Sequence, residues 1–356
     1  MRDTTIILLT FLLISRAVCW SKSDEGNRYR ISAFPIVMYD SDVGFGFGGK
    51  AVIKDSLKQR ALDAIIFGSS KGEQWYEFAF STLDSELKRG RTFGLALDMK
   101  LEFDKRIRSN FFGIGNESKD NDYQFPRESS KIEGTVSHGF SATLSGGFGF
   151  RYGHHSVYDF DTTWHTISPQ TPGAGECDLA IWGSSLIFDT RDSGIDPRRG
   201  IRIYAGYEQA TKMIGGDWDF GRFRLEASWH TRVSGRSDVF AARLWMQEVF
   251  GTAPYQELSK IGDGWTARGY KADRFLDKAM ALTSAEYRFP IYRRLGGVIF
   301  SDAGRVWRSL SDLSLDEWHA DWGMGLRYYL ANFVARADAG HSVEGTRIFF
   351  NFGYVF

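Results

Sequence analysis

This sequence has few cysteines, few prolines and no net charge, and each of these features excludes or disfavours certain kinds of structure, site or partner. One of the two cysteines, Cys19, lies in a predicted export signal, so Cys177 alone is left, which excludes an internal disulfide and a thiolate metal site. Lys and Arg together number 44, and so do Asp and Glu together. The chain therefore has no net charge that would attract nucleic acid or an acidic partner. Only 7 prolines stand beside 39 glycines, a balance typical of many strands joined by tight turns.

Long hydrophobic runs are also lacking. The apolar run from Ile6 to Ile14 is too short to span a bilayer as a helix, and it follows a basic N-terminus. We therefore predict a signal peptide over residues 1–19, with cleavage before Trp20; a lipoprotein-type cleavage at Cys19 is an alternative that its neighbours fit poorly. A mean hydropathy of −0.29 excludes a bundle of transmembrane helices, but it is compatible with a membrane β-barrel.

Apolar and polar residues alternate along most of the chain. The pattern is longest from Thr92 to Asp104, where every second residue is apolar: Phe93, Leu95, Leu97, Met99, Leu101 and Phe103. A period of two places these residues on one face of a strand and the charged residues on the other. A soluble β-sandwich could alternate likewise, but its strands average about five or six residues, whereas tilted bilayer-spanning strands need about nine to eleven. The lengths and the export signal favour an outer-membrane barrel.

The predicted fold is all-β: a sixteen-stranded antiparallel transmembrane β-barrel forming one domain over residues 29–356. The predicted strands are 29–38, 44–54, 61–70, 73–83, 91–104, 130–140, 142–153, 178–189, 200–210, 218–232, 237–250, 280–289, 294–303, 319–330, 332–341 and 346–356. The long connections 105–129, 154–177, 251–279 and 304–318 all follow odd-numbered strands. Outer-membrane barrels have short periplasmic turns and longer outer loops, so this parity supports the count.

One loop cation and two strand carboxylates form the candidate site. Arg268-Gly269-Tyr270 lies in the long loop 251–279, Glu286 in the next strand, and Asp302, followed by Gly304, in the strand after. If the loop folds back, Arg268 can bind Asp302, with Glu286 as a second partner, because a guanidinium binds a carboxylate through two hydrogen bonds. The alternative is a solvated arginine and two unrelated acids.

The C-terminus has a second pattern. Ile348 begins an aromatic series on one face of the last predicted strand, which continues with Phe350, Phe352, Tyr354 and Phe356. This series looks like the β-signal of outer-membrane proteins, which the insertion machinery reads. A lipid-facing last strand would give the same pattern, and both interpretations can hold together.

These segments together resemble the BamA/TamA superfamily of outer-membrane assembly and secretion barrels, of the bacterial surface antigen type. Ala267-Arg268-Gly269-Tyr270 is similar to its loop-six motif, and Phe300-Ser301-Asp302-Ala303-Gly304 to its strand-thirteen motif. Further similar segments are Ala285 to Pro290, Asp189 to Gly200 and Phe112 to Asn116. The resemblance covers roughly residues 100–356 and implies that Arg268, Glu286 and Asp302 lock the loop inside the barrel.

The resemblance also implies a function and partners. We expect a barrel in the outer membrane of a Gram-negative-type envelope that aids insertion or translocation of protein or lipid. Its expected partners are outer-membrane lipid, the barrel-assembly machinery for its own insertion, and client proteins or a separate periplasmic partner. Typical members carry periplasmic POTRA domains before the barrel, and we expect a shortened member without them. A structural barrel or passive pore without insertase activity is the alternative.

Enzyme chemistry finds little support in the sequence. His154 and His155 are adjacent, so on a strand they face opposite ways and chelate a metal poorly together. The glycine-rich run from Gly44 to Gly49 lacks the lysine and helix of a phosphate-binding loop, and no Gly-x-Ser-x-Gly nucleophile motif occurs. We therefore predict no catalytic residues, no metal, no cofactor and no nucleic-acid partner.

Overall fold

The structure is a computed structural model that describes residues 20–22, 29–40, 44–55, 57–120, 124–157, 170–233, 237–330 and 334–356. The predicted signal peptide, residues 1–19, lies outside the described residues. Nineteen strands occur in the described part of the chain, and seventeen of them form one antiparallel sheet. The sheet has one strand more than the sixteen predicted, and the additional strand is only three residues long, Trp20–Lys22.

The strands in chain order are β1 Trp20–Lys22, β2 Tyr29–Asp40, β3 Gly44–Asp55, β4 Arg60–Ser69, β5 Gln74–Ser81, β6 Phe93–Asn110, β7 Gln124–Gly139, β8 Leu144–Val157, β9 Glu176–Asp189, β10 Gly200–Ala210, β11 Phe220–Arg232, β12 Val239–Gly251, β13 Ser259–Ile261, β14 Phe275–Asp277, β15 Ala279–Tyr292, β16 Leu295–Trp307, β17 His319–Tyr329, β18 Val334–Ser342 and β19 Gly345–Phe352. A short helix, α1 Ser85–Lys88, precedes β6. Within the described residues, no helix is long and apolar enough to cross a membrane.

The sheet is a meander in which successive strands pair antiparallel. Pairing runs from β1 through β12, passes directly to β15, and continues to β19. The intervening β13 and β14 form a separate hairpin. At the ends of the meander, Val52 of β3 packs with Ala335 of β18. Closure into a barrel, by pairing of the last strand with the first long one, stays a prediction.

The two faces of the sheet differ in the way that the alternation predicts. On β17, Trp322 and Met324 are 59% and 62% exposed, whereas Asp321 before them and Arg327 after them are buried. On β6, Leu95 is 82% exposed. The exposed face is thus apolar, as a face against lipid must be, while the other, hereafter the inner face, carries charged residues that are buried.

The three longest connections leave the same edge of the sheet. Residues 111–123, 158–175 and 252–278 follow β6, β8 and β12, and antiparallel pairing brings these strand ends together. Residues 308–318, which follow β16, leave this edge too, but a connection of the same length, 82–92 after β5, lies at the opposite edge. We call this edge the long-loop end and the other the short-turn end. In outer-membrane barrels the short turns face the periplasm.

Three predicted boundaries are wrong for identifiable reasons. β6 continues to Asn110 and β7 begins at Gln124, because their backbone pairing persists after the apolar alternation has ended. β13 and β14 lie inside a segment predicted to be loop. The last strand ends at Phe352 rather than at residue 356, because Gly353 adopts a φ of 90°, which turns the chain out of the strand.

Residues 252–278, hereafter the inner loop, fold back against the inner face. Ala253, Tyr255 and Leu258 join a buried apolar cluster with residues of the neighbouring strands and loops, which include Phe125, Leu179 and Phe220. A second cluster holds Ile261, Ala267, Tyr270 and Phe275 of the loop against Met280 and Val306. Burial of these apolar side chains stabilises the loop in a single position.

Candidate functional site

The centre of the site is the fully buried guanidinium of Arg268. Its Nε donates to Asp302 Oδ2 at 2.8 Å and its Nη2 to Asp302 Oδ1 at 3.0 Å, a two-bond pairing. Its Nη1 donates to Glu286 Oε1 at 2.6 Å. The Phe300 ring, on the same face of β16 as Asp302, lies 3.5 Å from the Arg268 Cζ. The structure therefore brings together the three side chains that the sequence singled out.

Further charges surround this pair. Arg288 Nε donates to Glu286 Oε2 at 2.7 Å, so that Glu286 bridges two arginines. Asp338 of β18 accepts from Arg327 Nη1 at 2.5 Å and from Arg336 Nη1 at 2.9 Å. All of these side chains are at most 3% exposed. Such mutual pairing offsets the large cost of removing each charge from water.

Two glycines let the inner loop touch the wall of the sheet. The Gly269 N–H donates to Asp321 Oδ2 at 3.0 Å, and its carbonyl accepts from Ser342 Oγ at 2.8 Å. A Cβ at Gly340 of β18 would lie 2.3 Å from the carbonyl oxygen of Arg268, so no side chain fits there. The backbone of the loop is thereby fixed to β17 and β18 as well.

Tyr270 and Gly304 complete the predicted set. Tyr270 is buried, and its hydroxyl donates to the carbonyl of Ala320 at 3.2 Å, while its ring packs edge-on against Phe275 at 5.3 Å. Gly304 faces inward on β16, where a Cβ would lie 2.8 Å from Ile261 of the loop. Both residues allow the inner loop to pack closely against the sheet.

A second anchor holds the beginning of the inner loop. The carboxylate of Glu257 accepts hydrogen bonds from Arg151 of β8, at 2.9 Å, and from Arg222 of β11. The side-chain amide of Gln256 donates to the carbonyl of Gly173 at 2.7 Å. The loop is thus tied to β8 and β11 on one side and to β15, β16 and β18 on the other.

The two anchors shift the pKa of their loop residues in opposite directions. Burial alone would lower the pKa of Arg268, but Asp302 and Glu286 outweigh it and raise that pKa. Burial alone would raise the pKa of Glu257, but Arg151 and Arg222 outweigh it and lower that pKa. Both loop residues are therefore charged at neutral pH.

The C-terminal residues lie elsewhere than predicted. Phe350 is still in β19, on the same side as Ile348, and the side chain of Phe352 lies outside the described part. Beyond Gly353, Tyr354 stacks under the Arg288 guanidinium, with the Cζ 3.8 Å from the ring centroid. Phe356 is 9% exposed and packs with Ala241 of β12. The expectation that Tyr354 and Phe356 share the outer face of a strand is therefore wrong.

A comparison with known protein families finds a match. A model of the Omp85 superfamily domain matches residues 64–354. The chain belongs to the Omp85 superfamily. This confirms the resemblance found in the sequence, because the BamA and TamA barrels are members of it. Omp85 proteins are outer-membrane β-barrel proteins of Gram-negative bacteria, and this chain is located in the cell outer membrane.

Solved Omp85 structures share the fold at low identity. BamA from Haemophilus ducreyi lacking POTRA domains 1–3 is 14% identical with a TM-score of 0.62, over 99% of this chain and 78% of that chain. CdiB from Escherichia coli is 11% identical with a TM-score of 0.65, over 93% and 63% respectively. CdiB from Acinetobacter baumannii is 10% identical with a TM-score of 0.57, over 92% and 60%. A search of curated protein sequences finds no match.

The sequence analysis did not identify four residues of the charged network in this Omp85 chain. Arg288, Arg327, Arg336 and Asp338 were not selected, although each is a charged residue at an inward-facing position of a strand. The available signal was their alternation with outward apolar or small residues. What the sequence could not supply was the pairing of strands that are distant in the chain, which decides which charges meet.

Proposed function

We propose that this Omp85 chain inserts or translocates proteins, or lipid, at the outer membrane. The observation that carries the proposal is the inner loop, held by Arg268 against the inner face of an outer-membrane sheet. Assembly and secretion barrels make up the superfamily that the chain resembles, and the paired loop arginine and strand aspartate are what that resemblance implies for its site. Client proteins and a periplasmic partner are proposed with it.

We also propose that the sheet closes into a sixteen-stranded barrel, with β19 pairing with the part of β2 that lies beyond the three residues paired with β1. Unpaired backbone groups cannot be hydrated in the hydrocarbon region, so closure removes a cost of several kcal/mol per group. The contact between Val52 and Ala335 supports this closure, because it brings the first long strands next to the last ones. In a closed barrel, the inner face becomes the lumen and the inner loop obstructs it.

The obstruction argues against a wide passive pore. The inner loop is tied to different strands of the sheet through Glu257 and Arg268, and its apolar side chains fill two buried clusters. Ions would have to pass between buried, mutually paired charges. A function that lets the loop remain in place, such as insertion of a client from the membrane side, fits this arrangement better than free diffusion.

Reconstitution into liposomes tests the proposal. Liposomes with the purified chain should accelerate folding of a urea-unfolded client barrel, measured by its heat-modifiable migration on gels, relative to protein-free liposomes. The Arg268→Ala variant should lose this acceleration, whereas Lys271→Ala, a change in a surface ion pair of the same loop, should retain it. Conductance without acceleration would show the alternative, a passive pore, and would overturn the proposal.

A further inference from the structure

A cavity of about 380 Å³ opens at the short-turn end of the sheet. It is formed by the turns that join β9 to β10, β11 to β12, β15 to β16 and β17 to β18. Four arginines line it, against a single carboxylate, that of Asp196: Arg198, Arg288, Arg293 and Arg294. The cavity is therefore strongly electropositive.

Some of these arginines have N–H donors that are not bound to an acceptor. Arg288 is 3% exposed, and its Nη2 has no hydrogen-bond partner among the described residues, although its Nε is bound to Glu286. A buried unpaired N–H costs free energy comparable to a lost hydrogen bond, so this donor calls for an acceptor from outside the chain. Arg198 is paired with Asp196, at 2.9 Å, but Arg293 and Arg294 are exposed in the turn between β15 and β16 and pair with no carboxylate in the described ranges.

Apolar residues make up much of the rest of the lining, beside Ser193, Ser237 and Tyr329. Ile195, Val239 and Phe289 contribute to it, as do Pro290, Leu295 and Leu330. Next to the arginines, the exposed Ile291 and Tyr292 continue the apolar outer face, and Arg293 Cζ lies 5.1 Å from the Tyr292 ring centroid. Aromatic residues in this position mark the membrane–water interface of an outer-membrane barrel. The arginines therefore lie at the level of the lipid headgroups.

We propose that this cavity binds the phosphodiester headgroup of a phospholipid from the periplasmic leaflet. Guanidinium groups bind phosphate oxygens through paired, charge-assisted hydrogen bonds. The apolar lining suits the glycerol and the first part of the acyl chains, and the volume suits a headgroup. The site shares Arg288 with the charged network around Arg268, but Arg198, Arg293 and Arg294 lie outside that network, and the proposal does not depend on whether the chain inserts proteins.

Equilibrium binding to the purified full chain in an uncharged detergent tests the site. Isothermal titration calorimetry with dihexanoyl phosphatidylglycerol should show binding, whereas dihexanoylglycerol, which lacks the phosphate, should show none. The double variant Arg293→Gln with Arg294→Gln should weaken phosphatidylglycerol binding by about tenfold or more, the effect of losing a charge-assisted hydrogen bond. Both residues are exposed, so we expect the variant to fold, which heat-modifiable migration checks.

A matched control and two further probes complete the experiment. Arg60→Gln changes an exposed arginine at the same end of the sheet, at the start of β4, and should leave the binding constant within twofold. Equal binding of phosphatidylglycerol by the folded double variant and the wild type would overturn the proposal. Inorganic phosphate that binds as tightly as the lipid would reassign the cavity to free phosphate. If the wild type binds polyglutamate but not phosphatidylglycerol, and the double variant loses the polyglutamate binding, the cavity would be reassigned to an acidic protein segment.

Discussion

At the scale of single residues, Arg268 shows what a buried charge requires. An arginine with no exposed surface is tolerated only when its donors and its charge are matched, and here two carboxylates and an aromatic ring provide the match. Replacing such a cluster with apolar residues is often neutral, but removing one member leaves the others uncompensated. The arrangement is therefore sensitive to single changes.

Loss of Arg268 should destabilise the protein far more than loss of a surface cation. We expect Arg268→Ala to cost about 3–5 kcal/mol, because Asp302 and Glu286 stay buried without a partner. Arg268→Lys should also be damaging, since an ammonium cannot make the two-bond contact. The measurement is a double-mutant cycle with Asp302→Ala, by thermal unfolding in detergent. Strictly additive losses would mean that the two side chains are not coupled.

The control for this cycle has to come from the same loop. Arg274 also lies in the inner loop, but it is 4% exposed and its Nε donates to Glu344 at 2.7 Å, so its loss should also be costly. Lys271 is the better reference, because its ion pair with Asp120 is partly exposed. We expect Lys271→Ala to cost about 0–1 kcal/mol, the range of surface pairs.

At the scale of elements, the inner loop behaves as an inserted layer with an anchor at each end. The strands β13 and β14 of the loop pair with each other through backbone hydrogen bonds. The loop therefore contacts the sheet mainly through side chains and through a few backbone hydrogen bonds. The Glu257 anchor and the Arg268 anchor contact different strands. Each anchor can therefore be weakened separately, and acid is one means of doing so.

Acid should weaken the Glu257 anchor. Because the folded pKa of Glu257 lies below its unfolded value, the carboxylate stabilises the protein above about pH 5, and this contribution is lost as the pH falls. We expect Glu257→Gln to lower the melting temperature at pH 7 and the difference from the wild type to shrink towards pH 3. A difference that stays constant from pH 8 to pH 3 would contradict this. Asp312→Asn, an exposed change in another loop, is the control.

The C-terminal segment after Gly353 is a second inserted element. Arg243 Nη1 donates to the carbonyl of Val355 at 2.9 Å, and its guanidinium lies 5.5 Å from the Phe356 ring centroid. The segment therefore depends on residues of β12 and β15, far from β19 in the sheet. The role of these aromatic residues as an assembly signal stays a prediction.

Release of this segment should be detectable with carboxypeptidase. The folded protein in detergent should resist digestion of Val355 and Phe356, which are 6% and 9% exposed. Arg243→Gln should make the segment at least about tenfold more sensitive, since it loses a charge-assisted hydrogen bond. Arg199→Gln, an exposed change in a turn at the same end, should behave like the wild type. Equal digestion of all three proteins would mean that Arg243 does not hold the segment.

At the scale of the whole molecule, the sequence predicts the strands better than it predicts their contacts. Each of the sixteen predicted strands has a counterpart in the sheet, because a period of two reports the two faces directly. The three residues of β1 are too few to show a period. The hairpin of β13 and β14 has both faces buried, so it also lacks the alternation. The placement of Arg268 on a loop and Asp302 on a strand suggested their pairing, and the resemblance favoured it, whereas the contact of Arg336 with Asp338 is shown only by the structure.

Closure of the sheet is the prediction on which the whole architecture depends. If β2 pairs with β19, backbone hydrogen bonds continue around the sheet and no edge meets lipid. Cysteines placed in turn at Phe34, Ile36 and Val37, beyond the residues of β2 that pair with β1, each combined with one at residues 345–347, should then include at least one pair that forms a disulfide, since bridging needs Cα atoms about 4.4–6.8 Å apart. A Cys177→Ala background removes the native thiol.

The known register of β18 and β19 calibrates this experiment. Ala339 and Ile348 are directly paired, so cysteines at these two positions must crosslink in the folded protein, and a pair between Ile348 and Leu97 of β6 must not. If the Ala339 pair forms while every combination across β2 and β19 stays reduced, the sheet does not close at these strands. A single crosslink would fix the register, which must place inward residues of β2, such as the buried Ile36, opposite inward residues of β19, because a shift of one residue exchanges the two faces.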